Sequence, residues 1–313
     1  MFSNFCRTVF PVLLLLTAVC LAQQSPTDLP AEAQRAVARA VLMRSGAIQL
    51  ASGNSYFPRL DRPAVITWPE QGRYITVGVV PPPPNFTPVK FPWTSDVIAV
   101  GQILGFPTDG FFFVPFSTLS EADTPASGGL ALRLAFHEAD HGYMQSQPTE
   151  MDGCHECMQA GLDYPIYDAD NSARAQLEAR ILIAAYEKRE DPAALRQLAG
   201  DLVAVRALRY QKLGPLLAGF EQMNDRNEGL AEYCGKSAIH RWRIAQPSVP
   251  AVLSAAANIG DLAAAEQRTN QDGISFLSDP EKVRRGLTRE WAYHAGPPMG
   301  YILDAIRPGW LRD

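Results

Sequence analysis

The order of apolar and polar residues changes character near residue 129, and the two sides predict different kinds of structure. Upstream, small and apolar residues recur at helical spacing from Ala31 to Ala47. That pattern predicts a short amphipathic helix packed on the outside of the fold. From Ser55 to Pro84, short β-favouring runs, the clearest being Tyr74 to Val80, are broken by prolines. Pro81 through Pro84 form a stiff stop that neither a helix nor a central strand accepts. Ser95 to Leu104 and Gly110 to Pro115, the latter with three consecutive phenylalanines, predict two further strands. Thr118 to Gly129 reads as a polar, glycine-containing loop.

From Leu130 onward the apolar period is that of a helix. A first helix runs through Phe136 and beyond His141, weakens at Gly142 and cannot pass Pro148. Asn171 to Glu190 predicts a long helix with Asn171 or Ser172 near its start. Pro192 to Leu217, broken at Gly214-Pro215, and Ala218 to Arg243 predict two more. A shorter helix around Glu281 to Trp291 is then followed by Gly296-Pro297-Pro298, read as its stop, and by a tail through Pro308-Gly309-Trp310. There is no internal repeat and no flexible linker. The expectation is an α+β fold: a β-containing region over 23–128, joined as one integrated domain to a mainly helical region over 129–313.

The first residues, MFSNFCRTVFPVLLLLTAVCLAQQ, add a targeting signal. Arg7 is a weak positive n-region, Val9 to Leu16 most of an apolar h-region, and Cys20-Leu21-Ala22 a small-residue cleavage site before Gln23. Residues 1–22 are therefore expected to be a signal peptide, with an uncleaved membrane anchor as the alternative. The expected location is periplasmic or secreted, with no integral membrane domain once the leader is removed. Asn85-Phe86-Thr87 is a glycosylation sequon, relevant only if export passes through a glycosylating pathway.

Composition narrows the function classes. The 313 residues carry a formal net charge of -5, so no basic footprint for nucleic acid exists. Downstream of the leader only Cys154, Cys157 and Cys234 remain, too few for a disulfide-dense scaffold. Cys154-His155-Glu156-Cys157 has the spacing of a local disulfide, a redox pair or half a metal knuckle. In an oxidising compartment the disulfide is the preferred reading, and His155 belongs to that loop.

The chemistry-bearing motif is His137-Glu138-Ala139-Asp140-His141. Residues four apart share one helix face, so both imidazoles can approach one tetrahedral zinc ion. Glu138 lies on the adjoining face, within reach of water rather than metal. The chain has only five histidines, and two of them take this spacing. Downstream, Asn227-Glu228-Gly229-Leu230-Ala231-Glu232-Tyr233 offers a third, acidic ligand.

Together these motifs resemble the gluzincin group of zinc metallopeptidases, in which a second helix supplies a glutamate ligand. Glu228 to Tyr233 looks like the third-ligand segment of the aminopeptidase-like branch. The resemblance covers two short motifs between Leu130 and Gly235, with a longer interval between them than compact gluzincins have. It implies a zincin-like, thermolysin-like core, with Glu228 as third ligand beside His137 and His141. Glu232 is an alternative ligand or orients an imidazole, and Asp140 supports a histidine or a neighbouring backbone group. Glu138 is then the general base. Tyr293 or His294 is the donor to the oxyanion, with Tyr233 a weaker candidate. His240 is expected to be a surface or capping histidine. The function expected is a zinc-dependent hydrolase acting on a peptide. The alternatives are an amidase for cell-wall peptides and a non-catalytic zinc-binding protein.

Overall fold

The computed structural model describes residues 29–51, 63–102, 112–115, 119, 125–145, 154–245, 251–259 and 262–310. The expected signal peptide and its cleavage site before Gln23 lie outside these residues. The architecture is α+β: one helix, a small open sheet, then a largely helical region. Its elements are α1 (Ala31–Ala51), β1 (Ala64–Trp68), β2 (Arg73–Val77), β3 (Phe86–Val89), β4 (Ile98–Gly101) and β5 (Phe112–Pro115). They are followed by α2 (Pro125–Gln145), α3 (His155–Gly161), α4 (Ala169–Glu187), α5 (Pro192–Leu213) and α6 (Pro215–Asn224). A π-helical turn (Asp225–Gly229) leads into α7 (Leu230–Ala245), α8 (Ala251–Ala257), α9 (Leu262–Ser278), α10 (Pro280–Gly286) and α11 (Glu290–Ile306). Among the described residues no helix is long and apolar enough to cross a membrane.

The sheet has the order β3-β4-β2-β1-β5, antiparallel except for the β1–β5 pair. Proline removes a ladder donor and is tolerated at sheet edges; Pro88 and Pro115 lie in the two edge strands. Pro81 through Pro84 fall between β2 and β3, where the sequence places a stop.

Helix α1 is not on the outside. Ala33, Ala36, Val37, Ala40 and Met43 are fully buried, and so is Arg39. The Arg39 guanidinium donates to the Ala257 carbonyl at 2.9 Å and to the Leu119 carbonyl at 2.6 Å. Arg44 donates to the Val77 carbonyl at 2.8 Å. It passes Gly78 so closely that a Cβ there would coincide with its Nη1. Both arginines lie within this helix and spend their donors on backbone carbonyls of the surrounding fold instead of on solvent.

Three helix boundaries also differ from the sequence pattern. Helix α2 begins at Pro125, inside the expected loop, and continues through Gly142 to Gln145. Helix α4 starts two residues before Asn171, because the Asp168 side chain caps it by accepting from the Asn171 N–H at 2.7 Å. Pro297 and Pro298 do not end a helix; both lie inside α11. Pro298 cannot donate to the carbonyl four residues earlier, that of His294. The Tyr186 hydroxyl donates to it instead, at 3.1 Å.

Candidate metal centre

The site begins with the two-faced character of α2. Leu132, Ala135, Phe136 and Ala139 are buried in the core. Arg133, His137 and His141, spaced one turn apart, point toward α7 and the π-helical turn. The π turn interrupts an otherwise continuous run of helix from Pro215 to Ala245, and Glu228 is its fourth residue. Such turns widen the backbone and re-aim side chains, often at functional sites. Its position is fixed by an unusually close crossing with α11. A Cβ on Gly296 would stand 2.2 Å from the Gly229 carbonyl oxygen, so only glycine allows this approach.

That crossing delivers Glu228 to the histidine pair. His137 Nε2 and His141 Nε2 are 3.0 Å apart. Glu228 Oε2 lies 3.7 Å from the first and 3.4 Å from the second. These are the residues among those described whose donor atoms converge as a metal ion requires. Zinc bonds of about 2.0–2.1 Å in tetrahedral geometry separate neighbouring ligand atoms by roughly 3.3 Å. The observed triangle brackets that value, so the donor set fits zinc in both chemistry and spacing.

The electrostatics suit a cation. Burial alone would lower the His137 pKa, but the neighbouring carboxylates of Glu228 and Glu232 outweigh it and push it up to about 9. The two imidazoles beside it hold Glu228 well below the usual carboxylate range. The site thus favours positive charge at the point where the three donors meet.

Glu232 takes the other face of the His137 ring, its Oε2 lying 3.2 Å from Nδ1. Glu232 stands outside the group of three converging donors, since the ring nitrogen it meets is not the one that faces His141. Arg133 grips both oxygens of Glu232, and Lys236 Nζ stands 3.7 Å from it. Burial raises the Glu232 pKa, yet Arg133, His137 and Lys236 together bring it down to about 2. Lys236 is itself anchored, donating to the Tyr186 hydroxyl at 3.1 Å and to the Thr269 carbonyl at 3.0 Å.

Tyr293 and His294 part company. The Tyr293 ring stacks on His137, with centroids 5.8 Å apart and planes 9° from parallel. Its hydroxyl accepts from Arg289 Nη2 at 3.1 Å. The His294 ring stacks on Phe276 at 4.0 Å instead, and burial pushes its pKa down to about 4. Both residues border a cavity of about 460 Å³ that also touches His137, Glu138, Arg133 and Lys236. Glu138 is therefore on the open side of the helix, half-buried at the cavity wall.

Asp140 does not hydrogen-bond an imidazole. It is fully buried, accepts from the Cys234 thiol at 3.5 Å, and is pushed up to about 7 by burial. Tyr233 turns away from the site and donates to Asp304 at 2.6 Å. His240 pairs with Glu266 at 2.8 Å. Cys154 and Cys157 are joined by a disulfide, with His155 exposed between them.

Three participants had escaped the sequence reading: Arg133, Lys236 and Arg289. The first two carry a usable signal, since Arg133 stands four residues before His137 and Lys236 four after Glu232, on the same helix faces. Arg289 carries none. It reaches Glu228 only through the tertiary fold, donating to Oε1 at 2.7 Å. No family model, no curated protein and no solved structure matches this chain.

Proposed function

We propose that this chain is a zinc-dependent hydrolase of peptide bonds, with a zincin-like centre of the gluzincin kind, exported from the cell. The observation that carries this reading is the triangle of His137 Nε2, His141 Nε2 and Glu228 Oε2, whose spacing matches tetrahedral zinc, with His137 also bordering a cavity that Glu138 lines. The export half is supported by the leader-like amino terminus and by the Cys154–Cys157 disulfide, a bond favoured outside the cytosol.

Zinc held there supplies a Lewis acid that polarises the amide carbonyl and acidifies water. The protein's own groups account for the rest. Glu138 accepts a proton from water as its oxygen bonds to the carbonyl carbon. It returns that proton to the amide nitrogen as the carbon–nitrogen bond breaks, leaving a carboxylic acid and an amine. Glu232, held by Arg133, fixes the His137 ring so that Nε2 faces the ion. The cavity between α2, α7, α9 and α11 accepts the substrate chain on the Glu138 side.

The test is Glu138→Gln in the zinc-loaded protein, read by metal analysis and by turnover of a fluorogenic peptide library. Zinc content is expected to stay near one ion per chain while turnover falls at least ~10²-fold. Unchanged turnover would remove Glu138 as the base. A wild-type protein that retains no zinc at all would end the reading.

A further inference from the structure

Glu228 divides its two oxygens between two tasks. Oε2 faces the imidazole pair, whereas Oε1 is held by Arg289 Nη2 at 2.7 Å. The same Nη2 lies 3.1 Å from the Tyr293 hydroxyl, and the guanidinium stands 5.9 Å from the Tyr293 ring centroid. Tyr293 in turn stacks on His137. Arg289 is thus bracketed between the third ligand and the aromatic wall of the site.

Its exposure distinguishes it from the other cations nearby. Arg133 and Lys236 border the cavity, but both are committed to Glu232 on the Nδ1 side of His137. The Arg289 side chain is 68% exposed, against 14% for the Glu228 it holds. A guanidinium carries five N–H donors in a planar fork. Both hydrogen bonds of Arg289 use Nη2, and its Nη1 and Nε make no hydrogen bond among the described residues. A cation fixed in place before the substrate arrives suits the charge that develops on a carbonyl oxygen under attack.

Resting on the hydrolase reading above, we infer that Arg289 is a catalytic residue: its Nη1 and Nε donors bind the substrate oxygen that becomes negative during hydrolysis, with Tyr293 holding the guanidinium in place. The sequence singles out Tyr293 and His294 for this role. The fold instead pairs Tyr293 with Arg289 and turns His294 toward Phe276.

The experiment compares wild type, Arg289→Ala and Arg289→Lys as zinc-loaded full-length proteins, each checked by thermal melting. Zinc retention is measured by chelator competition, turnover on the fluorogenic peptide library, and affinity for a phosphinic peptide and a matching peptide hydroxamate by calorimetry. For Arg289→Ala, kcat is expected to fall ~10²–10³-fold with little change in KM. The anionic phosphinate should weaken in parallel while zinc retention and hydroxamate affinity hold, and Arg289→Lys should recover part of the loss. Undiminished kcat and phosphinate affinity would overturn the inference. So would zinc loss in proportion to lost activity, which would make Arg289 only a support for Glu228. If zinc-loaded wild type cleaves no peptide, the hydrolase reading fails, and the phosphinate comparison still decides whether Arg289 binds an anion there.

Discussion

His137 lies between two carboxylates, and the division of labour between them follows from which ring nitrogen each one meets. Glu228 meets Nε2 on the side of the second imidazole; Glu232 meets Nδ1 and is fixed by Arg133. Arg133→Met would leave Glu232 buried beside the ring without its main counter-charge, free to shift or to take up a proton. Zinc affinity is expected to drop ~10–100-fold, the usual effect of losing an orienting partner behind a ligand. Arg133→Lys should lose less, since it restores charge but not the two-oxygen grip. Chelator competition on folded protein measures both; equal affinity in Arg133→Met and wild type would remove Arg133 from the site. At this scale His137, Glu138 and His141 were legible because a four-residue spacing is a local property. Glu228 was reachable through its resemblance to a known third-ligand segment. The partner of Asp140, the Cys234 thiol, was not legible because it lies on a distant stretch of the chain.

The elements that bring these residues together depend on one crossing. The π turn presents Glu228 only because Gly229 and Gly296 let two backbones approach closely. Gly296→Ala would drive a Cβ to 2.2 Å from the Gly229 carbonyl oxygen, which the helices can relieve only by separating. A loss of about 1–3 kcal/mol is expected from such overpacking, seen as a lower melting temperature together with weaker zinc retention. Gly200 is the internal control: it is exposed on α5 and an added Cβ meets nothing within 4 Å. Gly200→Ala should therefore stabilise the protein by up to ~1 kcal/mol without affecting the metal. A Gly296→Ala protein with wild-type melting and zinc retention would refute the claim that this crossing sets the site. The start of α5 was readable from Pro192 and the break before α6 from Gly214-Pro215, although the sequence pattern began the next helix at Ala218 and the structure begins it at Pro215. The continuity of α11 through Pro297 and Pro298 was not, because the Tyr186 hydroxyl that serves the freed His294 carbonyl comes from α4.

Across the whole molecule the π turn is also anchored from behind, by a buried charge network joining α4, α5 and α6. Arg209 is fully buried between Glu178 and Glu221. Arg206 bridges Glu178 to Asp225, the first residue of the π turn, at 2.8 Å from the latter. Burial raises the Glu178 pKa, but Arg206 and Arg209 outweigh it and keep it ionised, whereas burial pushes Glu221 and Asp225 up. Removing one partner strands buried charge, so Arg209→Met is expected to cost about 3–5 kcal/mol. Arg285→Ala, at a solvent-screened i,i+4 pair with Glu281, should leave stability almost unchanged. Urea denaturation of both variants measures the contrast, and a small loss for Arg209→Met would argue against the network as an anchor. The sequence by itself determined the α+β division, the helical period after residue 129 and the one-turn spacing of the two imidazoles, because each is written in residues close together along the chain. Only the tertiary structure decided that α1 is buried, that Glu228 and Glu232 take opposite nitrogens of one ring, and that Arg289 stands beside them. Those arrangements depend on long-range contacts, where the packing of distant backbones, and not local periodicity, selects which side chains meet.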